Sequence, residues 1–261
     1  MAGMATHIGA CWASTGWFGV VLGDDGTWEA DHFPSMWSLW KYHSDAARIL
    51  VDVPIGLPTD ARRACDVEAK RKLNRQGRRV PYAPVREAVY EGNLEVAKET
   101  NEAAGYSIQN QVWHRIPRIR EVDEFLDANP GARDRLRETR PELCFYALNG
   151  HNPVADSKWT DEGVRRRLAL LADELDDATA IYEACRDRYM TPRYASFLRS
   201  EADILDALAA AVTARRSGDE LSELPERTDP PRDERGLPMR IVYPSDVNQT
   251  RLSTLGASSE K

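Results

Sequence analysis

Cysteine, lysine and long apolar runs are all scarce in this 261-residue chain, and each scarcity removes a class of protein. The four cysteines (Cys11, Cys65, Cys144 and Cys185) lie far apart with no Cys-x-x-Cys spacing. That argues against a zinc site or a disulfide framework and fits reduced thiols, hence a cytoplasmic location. No stretch of about 18 residues is continuously apolar, so no membrane-spanning helix and no membrane partner is expected. Met1 to Gly9 lacks a charged segment followed by an apolar one, so no signal peptide is expected. The histidines show no metal-ligand spacing, and neither a Gly-x-x-x-x-Gly-Lys phosphate loop nor a Gly-x-Ser-x-Gly elbow occurs. The basic residues are mostly arginine, and the net charge is −7. No global positive field therefore advertises nucleic acid, and any such site has to be a local patch.

What is present is an alternation of strand-like and helix-like segments. Thr6 to Trp12, Trp17 to Leu22 and Thr27 to Phe33 read as strands, with Gly23-Asp24-Asp25-Gly26 as a turn. Together they predict an antiparallel meander. Met36, Trp37, Leu39, Trp40 and His43 sit at helical spacing. Arg48 to Val53 is a short apolar run ended by Pro54, as in a buried strand parallel to the first. The order strand, strand, strand, helix, strand predicts an α/β domain. Residues from about 60 to 138 read as mostly helical, with a helix from an Asp60 cap to Leu73, a second over Glu87 to Ala104, and a third over Ile108 to Leu126. Pro141 to Leu148 reads as a later strand. Asp161 to Leu171, Ala178 to Cys185 and Ser200 to Arg215 read as helices, and Met239 to Tyr243 as a last strand. Ser217 to Arg235 reads as a polar linker. One domain is expected over residues 1–246, with residues 247–261 a polar, disordered tail.

The chemistry lies in carboxylates. Asp52 interrupts an apolar strand, and an ionised carboxylate buried without a partner is costly. It either pairs with a neighbour at the strand end or points into a site where a cation neutralises it. Asp203 and Asp206 are three residues apart and share a helix face. Either that face is solvated, or something positive sits between them; a hard divalent ion such as Mg2+ or Mn2+ suits carboxylate oxygens. Like-charge proximity is expected to raise the pKa of at least one of these acids, Asp52 first. Arg62, Arg63, Arg75, Arg78, Arg79 and Arg86 form either a solvated face or a phosphate-binding patch. Lys158 is either exposed or orients a phosphate. The tryptophans, Trp12 and Trp159 among them, are core residues or base-stacking platforms.

The segments Asp52-Val53-Pro54-Ile55-Gly56-Leu57-Pro58, Arg63-Ala64-Cys65-Asp66, Pro84-Val85-Arg86, Arg140-Pro141-Glu142, Ser157-Lys158 and Asp203-Ile204-Leu205-Asp206-Ala207-Leu208 follow one another in a recognisable order. In these the chain resembles the domain-of-unknown-function family 429, described as predicted RNase H-like nucleases. The resemblance implies an RNase H-like fold: a mixed five-stranded sheet with its first three strands antiparallel, helices on both faces and a helical insertion. It implies metal-dependent hydrolysis of DNA or RNA phosphodiesters, with Asp52, Glu142, Asp203 and Asp206 as catalytic acids. Asp52, Asp203 and Asp206 would hold Mg2+ or Mn2+, and Arg63, Arg86 and Lys158 would contact substrate. Family members usually carry Gly-x-Asp-Gly in the first strand, where this chain reads Gly9-Ala10-Cys11-Trp12, and a thiol is a poor ligand for magnesium. The alternative is a catalytically inactive module that binds nucleic acid or protein.

Overall fold

In the computed structural model, residues 4–245 are described. The expected disordered tail, residues 247–261, lies outside them. Five strands form one mixed sheet: β1 (Thr6–Trp12), β2 (Trp17–Gly23), β3 (Trp28–Phe33), β4 (Arg48–Val51) and β5 (Leu136–Glu138), in the order β3-β2-β1-β4-β5. The first three are antiparallel; β4 runs parallel to β1, and β5 parallel to β4. This is the α/β sheet anticipated for an RNase H-like arrangement. Alternation along the strands sends side chains to opposite faces. Ile8 and Ala10 enter one core with Trp17, Met36 and Phe125, while Cys11 enters the other with Phe18, Val20 and Leu208.

Helices cover both faces. The first core packs against α1 (Met36–His43) and α6 (Ile116–Ala128). Ser35 caps α1 through a capping box with Ser38, which explains why that helix starts after the Pro34 turn. The second core packs against α8 (Asp161–Ala172), α9 (Ala178–Tyr189) and α10 (Glu201–Arg215). Ser200 caps α10 by accepting from the Ala202 backbone N–H. α10 is buried from Ala202 to Ala214 and runs across β1. Alanines on it keep the surface flat, and Gly9 lets the two backbones touch. A Cβ on Gly9 would stand 2.0 Å from the Ala211 nitrogen and 2.2 Å from the Ala207 oxygen.

Several expectations change. Pro141 to Leu148 is not a strand but a helix, α7 (Pro141–Leu148); the fifth strand is the preceding Leu136–Glu138. Pro141 occupies the first turn, where a missing N–H costs nothing. The sequence Leu143-Cys144-Phe145-Tyr146 is apolar on all sides because the helix is buried, so its pattern could not distinguish the two states. The helix expected to begin at an Asp60 cap begins instead as α2 (Ala64–Leu73), after Arg63. The span Glu87 to Ala104 divides into α3 (Arg86–Tyr90) and α4 (Leu94–Ala103), where the Asn93 side chain caps the second piece. Ile108 to Leu126 likewise divides, into α5 (Asn110–Trp113) and α6. The supposed linker contains β6 (Leu221–Leu224), which pairs with β7 (Ile241–Pro244) as a separate two-stranded sheet. A bridge from Thr139 to Val242 ties it to the main sheet.

The Gly9 contact yields a direct test. Gly9→Ala places a methyl group into helix backbone that has no room to yield. The substitution is expected to cost about 3 kcal/mol or more, or to abolish cooperative folding, as read by urea denaturation.

Candidate functional site

A cleft of about 470 Å³ opens where the carboxyl end of β4, the start of α7, the loop before α8 and the middle of α10 meet. Asp52, Glu142 and Asp206 line it, together with Arg79, Arg115, Arg140, Lys158, Arg199, Trp12 and Trp159. Each side chain is placed by a definable local cause. Asp52 follows the last β4 residue, and its N–H still donates to Ala10 O at 3.1 Å, so the acid stands at the carboxyl end of a central strand next to Cys11. Glu142 lies in the first turn of α7, where the helix dipole favours an acid. Asp206 lies in the buried middle of α10. Lys158 is carried by a loop pinned to α8: Thr160 caps that helix, Arg167 donates to Asp156 O at 3.0 Å, and a Cβ on Gly163 would meet Ser157 O at 1.9 Å.

Every acid in the cleft has a cationic partner. Lys158 Nζ donates to Asp206 Oδ2 at 2.5 Å. Arg140 Nη1 donates to Asp52 Oδ1 at 3.1 Å, and Arg115 Nη2 lies 3.5 Å from Asp52 Oδ2. Glu142 receives Arg79 at 3.2 Å and the wholly buried Arg167 at 3.3 Å. Three acids and five cations line the cleft, leaving it net positive inside an acidic protein.

Burial and neighbours then split the two aspartates. For Asp206, burial pushes the carboxyl up, and Asp52 and Glu142 add to that against the pull of Lys158; its pKa reaches about 6. For Asp52, burial pushes up too, but Arg115, Arg140 and Lys158 outweigh it and hold the carboxyl below its ordinary range. The acid expected to rise, Asp52, therefore falls, and Asp206 rises in its place. The reason is partner number: two guanidinium groups reach Asp52, whereas Asp206 Oδ1 is buried with no hydrogen-bond partner.

Other predicted residues lie elsewhere. Asp203 is wholly buried beside the cleft and receives Arg199 Nη2 at 2.6 Å and the Arg199 backbone N–H at 2.7 Å. Cys11 Sγ donates to Asp203 O at 3.1 Å; burial, with Asp203 and Asp206 close by, drives its thiol well above the ordinary value, so it is neutral. Arg63 is buried among Asp66 at 2.6 Å, Glu138 at 2.7 Å and Ile55 O at 3.0 Å. Arg86 is bound by Asp123 and Asp233, and Asp233 also accepts from Leu57 N at 3.0 Å. Both arginines fasten the segment after Asp52 to the fold, with no donor turned to the cleft. Sequence reasoning did not single out Arg115, Arg140 and Arg199, since isolated arginines on separate elements have no spacing to read. Only the adjacency of Arg140 to Pro141-Glu142 marked one of them.

Whether these side chains fit the divalent ions expected from the resemblance is a matter of donor chemistry. Among the described residues, no group of three or more His, Cys, Asp or Glu side chains is placed to hold a metal ion. Asp203 faces Arg199 rather than Asp52, the first-strand position is a neutral thiol, and the remaining acids are already paired. The arrangement does not fit a two-ion centre.

An α/β sheet with acids and bases gathered at the end of its parallel strands defines the class. The family described as Protein of unknown function (DUF429) matches residues 12–229, and the chain belongs to it. No curated protein and no solved structure matches it.

Two outcomes follow from this geometry. Because folded Asp206 keeps its proton to about pH 6 while the unfolded residue releases it near 3.8, this group lowers stability as pH rises between those values, by up to about 3 kcal/mol. Asp206→Asn should remove that fall, seen as a pH-dependent difference from the natural protein in denaturant melts. Arg63→Ala leaves Asp66 buried without its cation and Glu138 with Arg140 alone, and should cost about 3–5 kcal/mol, measured in the same melts.

Proposed function

We propose that the cleft binds a phosphodiester of DNA or RNA and that the protein is an RNase H-like nuclease working on that bond. The observation that supports this reading most is the net-positive cleft set between Asp52 and Asp206. Guanidinium forks suit phosphate oxygens, and backbone phosphates are the part of nucleic acid that a local cationic patch recognises. Hydrolysis needs a base for the attacking water and a cation for the charge gathering on phosphorus. Asp206, titrating near neutrality, suits proton transfer at working pH. Asp52 stays ionised beside Arg115 and Arg140, so those arginines remain oriented for the phosphate. In the reaction the water oxygen forms a bond to phosphorus as the ester P–O bond breaks, the water's proton passes to the carboxylate of Asp206, and the leaving oxygen takes a proton from the solvent in the open cleft. Exposed Trp159 at the rim offers a face for a base.

Cys11 favours a second reading. With a neutral thiol where relatives usually carry an acid, the same cleft would bind nucleic acid without cutting it.

Fluorescence anisotropy with labelled single-stranded and duplex DNA and RNA, with and without Mg2+ or Mn2+, tests both readings, with cleavage followed on gels. Binding should weaken steeply with salt. Arg115→Ala should cost about tenfold in affinity and lower the salt slope by about one. Asp206→Asn should retain binding and lose cleavage. Binding without cleavage by the natural protein establishes the second reading, and no binding to any of these polymers overturns both.

A further inference from the structure

The disagreement between the acids of this cleft and a metal centre has a specific occupant. Lys158 Nζ sits 2.5 Å from Asp206 Oδ2, and its charge also acts on Asp52 and Glu142. One ammonium group thus bears on all three carboxylates that line the cleft. In a carboxylate metal site that place belongs to the ion, because only a positive charge makes the approach of several acids affordable.

We infer that Lys158 is a built-in replacement for a divalent cation: its ammonium group holds the Asp52–Asp206 pair together and excludes metal from it. The inference takes its location from the cleft reading above but does not need a nucleic acid to be bound.

Three observations on the molecule support it. First, Lys158 is held rigidly. Its loop is pinned by the Thr160 cap, by the Arg167 contact with Asp156 O, and by Gly163, which has no room for a side chain against Ser157 O. A solvated lysine needs no such anchoring, whereas a cation that must stay in one place does. Second, the ligand inventory is depleted where a metal would need it. Cys11 supplies a neutral sulfur beside Asp52, and Asp203 turns to Arg199. With two fewer hard oxygens, a single positive charge replaces a doubly charged ion at lower cost. Third, the acids that remain are not saturated. Asp206 Oδ1 is buried without a hydrogen-bond partner, which leaves one oxygen free for a ligand if the ammonium group is removed.

The test is a Mn2+ titration followed by electron paramagnetic resonance, in which bound ion loses the sharp signal of free Mn2+. It is run at pH 8, above the titration of Asp206, so that protons do not compete. The natural protein should take up no Mn2+ below the millimolar range. Lys158→Met keeps most of the length of the side chain, one atom short, and removes the charge; it should gain a single Mn2+ site at least tenfold tighter than the natural protein. Adding Asp52→Asn should abolish that gain, and Lys158→Arg, which keeps the charge, should show none. Thermal melts run alongside should show Mn2+ raising the melting temperature of Lys158→Met alone. If Lys158→Met folds only with Mn2+ present, the inference stands; if it fails to fold either way, Lys158→Gln is read in its place. Micromolar Mn2+ binding by the natural protein, or no gain in a folded charge-free variant, overturns the inference. Neither result depends on nucleic-acid binding, so the cleft reading and the lysine's role fail separately.

Discussion

The contact of Gly9 with the backbone of α10 is the constraint on which the site rests. A β-strand and a helix ordinarily stand apart by the thickness of their side chains; here one residue without a side chain, facing a helix rich in alanine, lets backbone meet backbone. That approach places the middle of α10 at the carboxyl end of β1 and β4. Asp206 then comes within electrostatic reach of Asp52. Any thicker interface would carry Asp206 away from Asp52 and from Lys158, the cation that balances it.

Because α10 is buried from Ala202 to Ala214, its acids Asp203 and Asp206 are the costly part of the fold. Burying carboxylates is tolerated only when cations come with them. The protein meets this requirement with arginines and one lysine drawn from separate segments, each tied to backbone oxygens or helix caps. A chain of alternating charge runs from the core to the cleft. Arg63 joins Asp66 to Glu138, Arg140 joins Glu138 to Asp52, and Arg115 closes the series at the surface. Such a chain keeps Asp52 ionised and oriented, and it explains why Arg63, far from touching a ligand, matters to the cleft through rigidity.

The electrostatic character of the site is therefore the reverse of the protein's. A net charge of −7 gives no hint of a cationic cleft, since it sums the whole chain and says nothing of how charges are grouped in space. The cleft combines an ionised aspartate, an aspartate that titrates near pH 6 and several fixed cations within one cavity. Carboxylates whose environments drive their pKa values apart are suited to different roles in one reaction. The pairing of each acid with its own cation is what sets this cleft apart from a set of acids waiting for an ion.

By itself the sequence determined the order of the first five elements, the helix that carries Asp203 and Asp206, and the position of Asp52 at a strand end. Turn residues, caps and apolar periodicity act over a few residues, and they are read locally. Pro141 to Leu148 escaped that reading because a fully buried helix has no polar face to reveal its period. Linker composition hid β6 for a related reason, as an edge strand of four residues is stabilised by its partner rather than by its own pattern. Only the tertiary structure decided which charges meet. It drew Lys158, Arg115 and Arg140 onto Asp206 and Asp52, turned Asp203 toward Arg199, and sent Arg63 and Arg86 into the interior. Charge pairing depends on distance in space and on the water removed between partners, and neither is written in the spacing of residues along a chain.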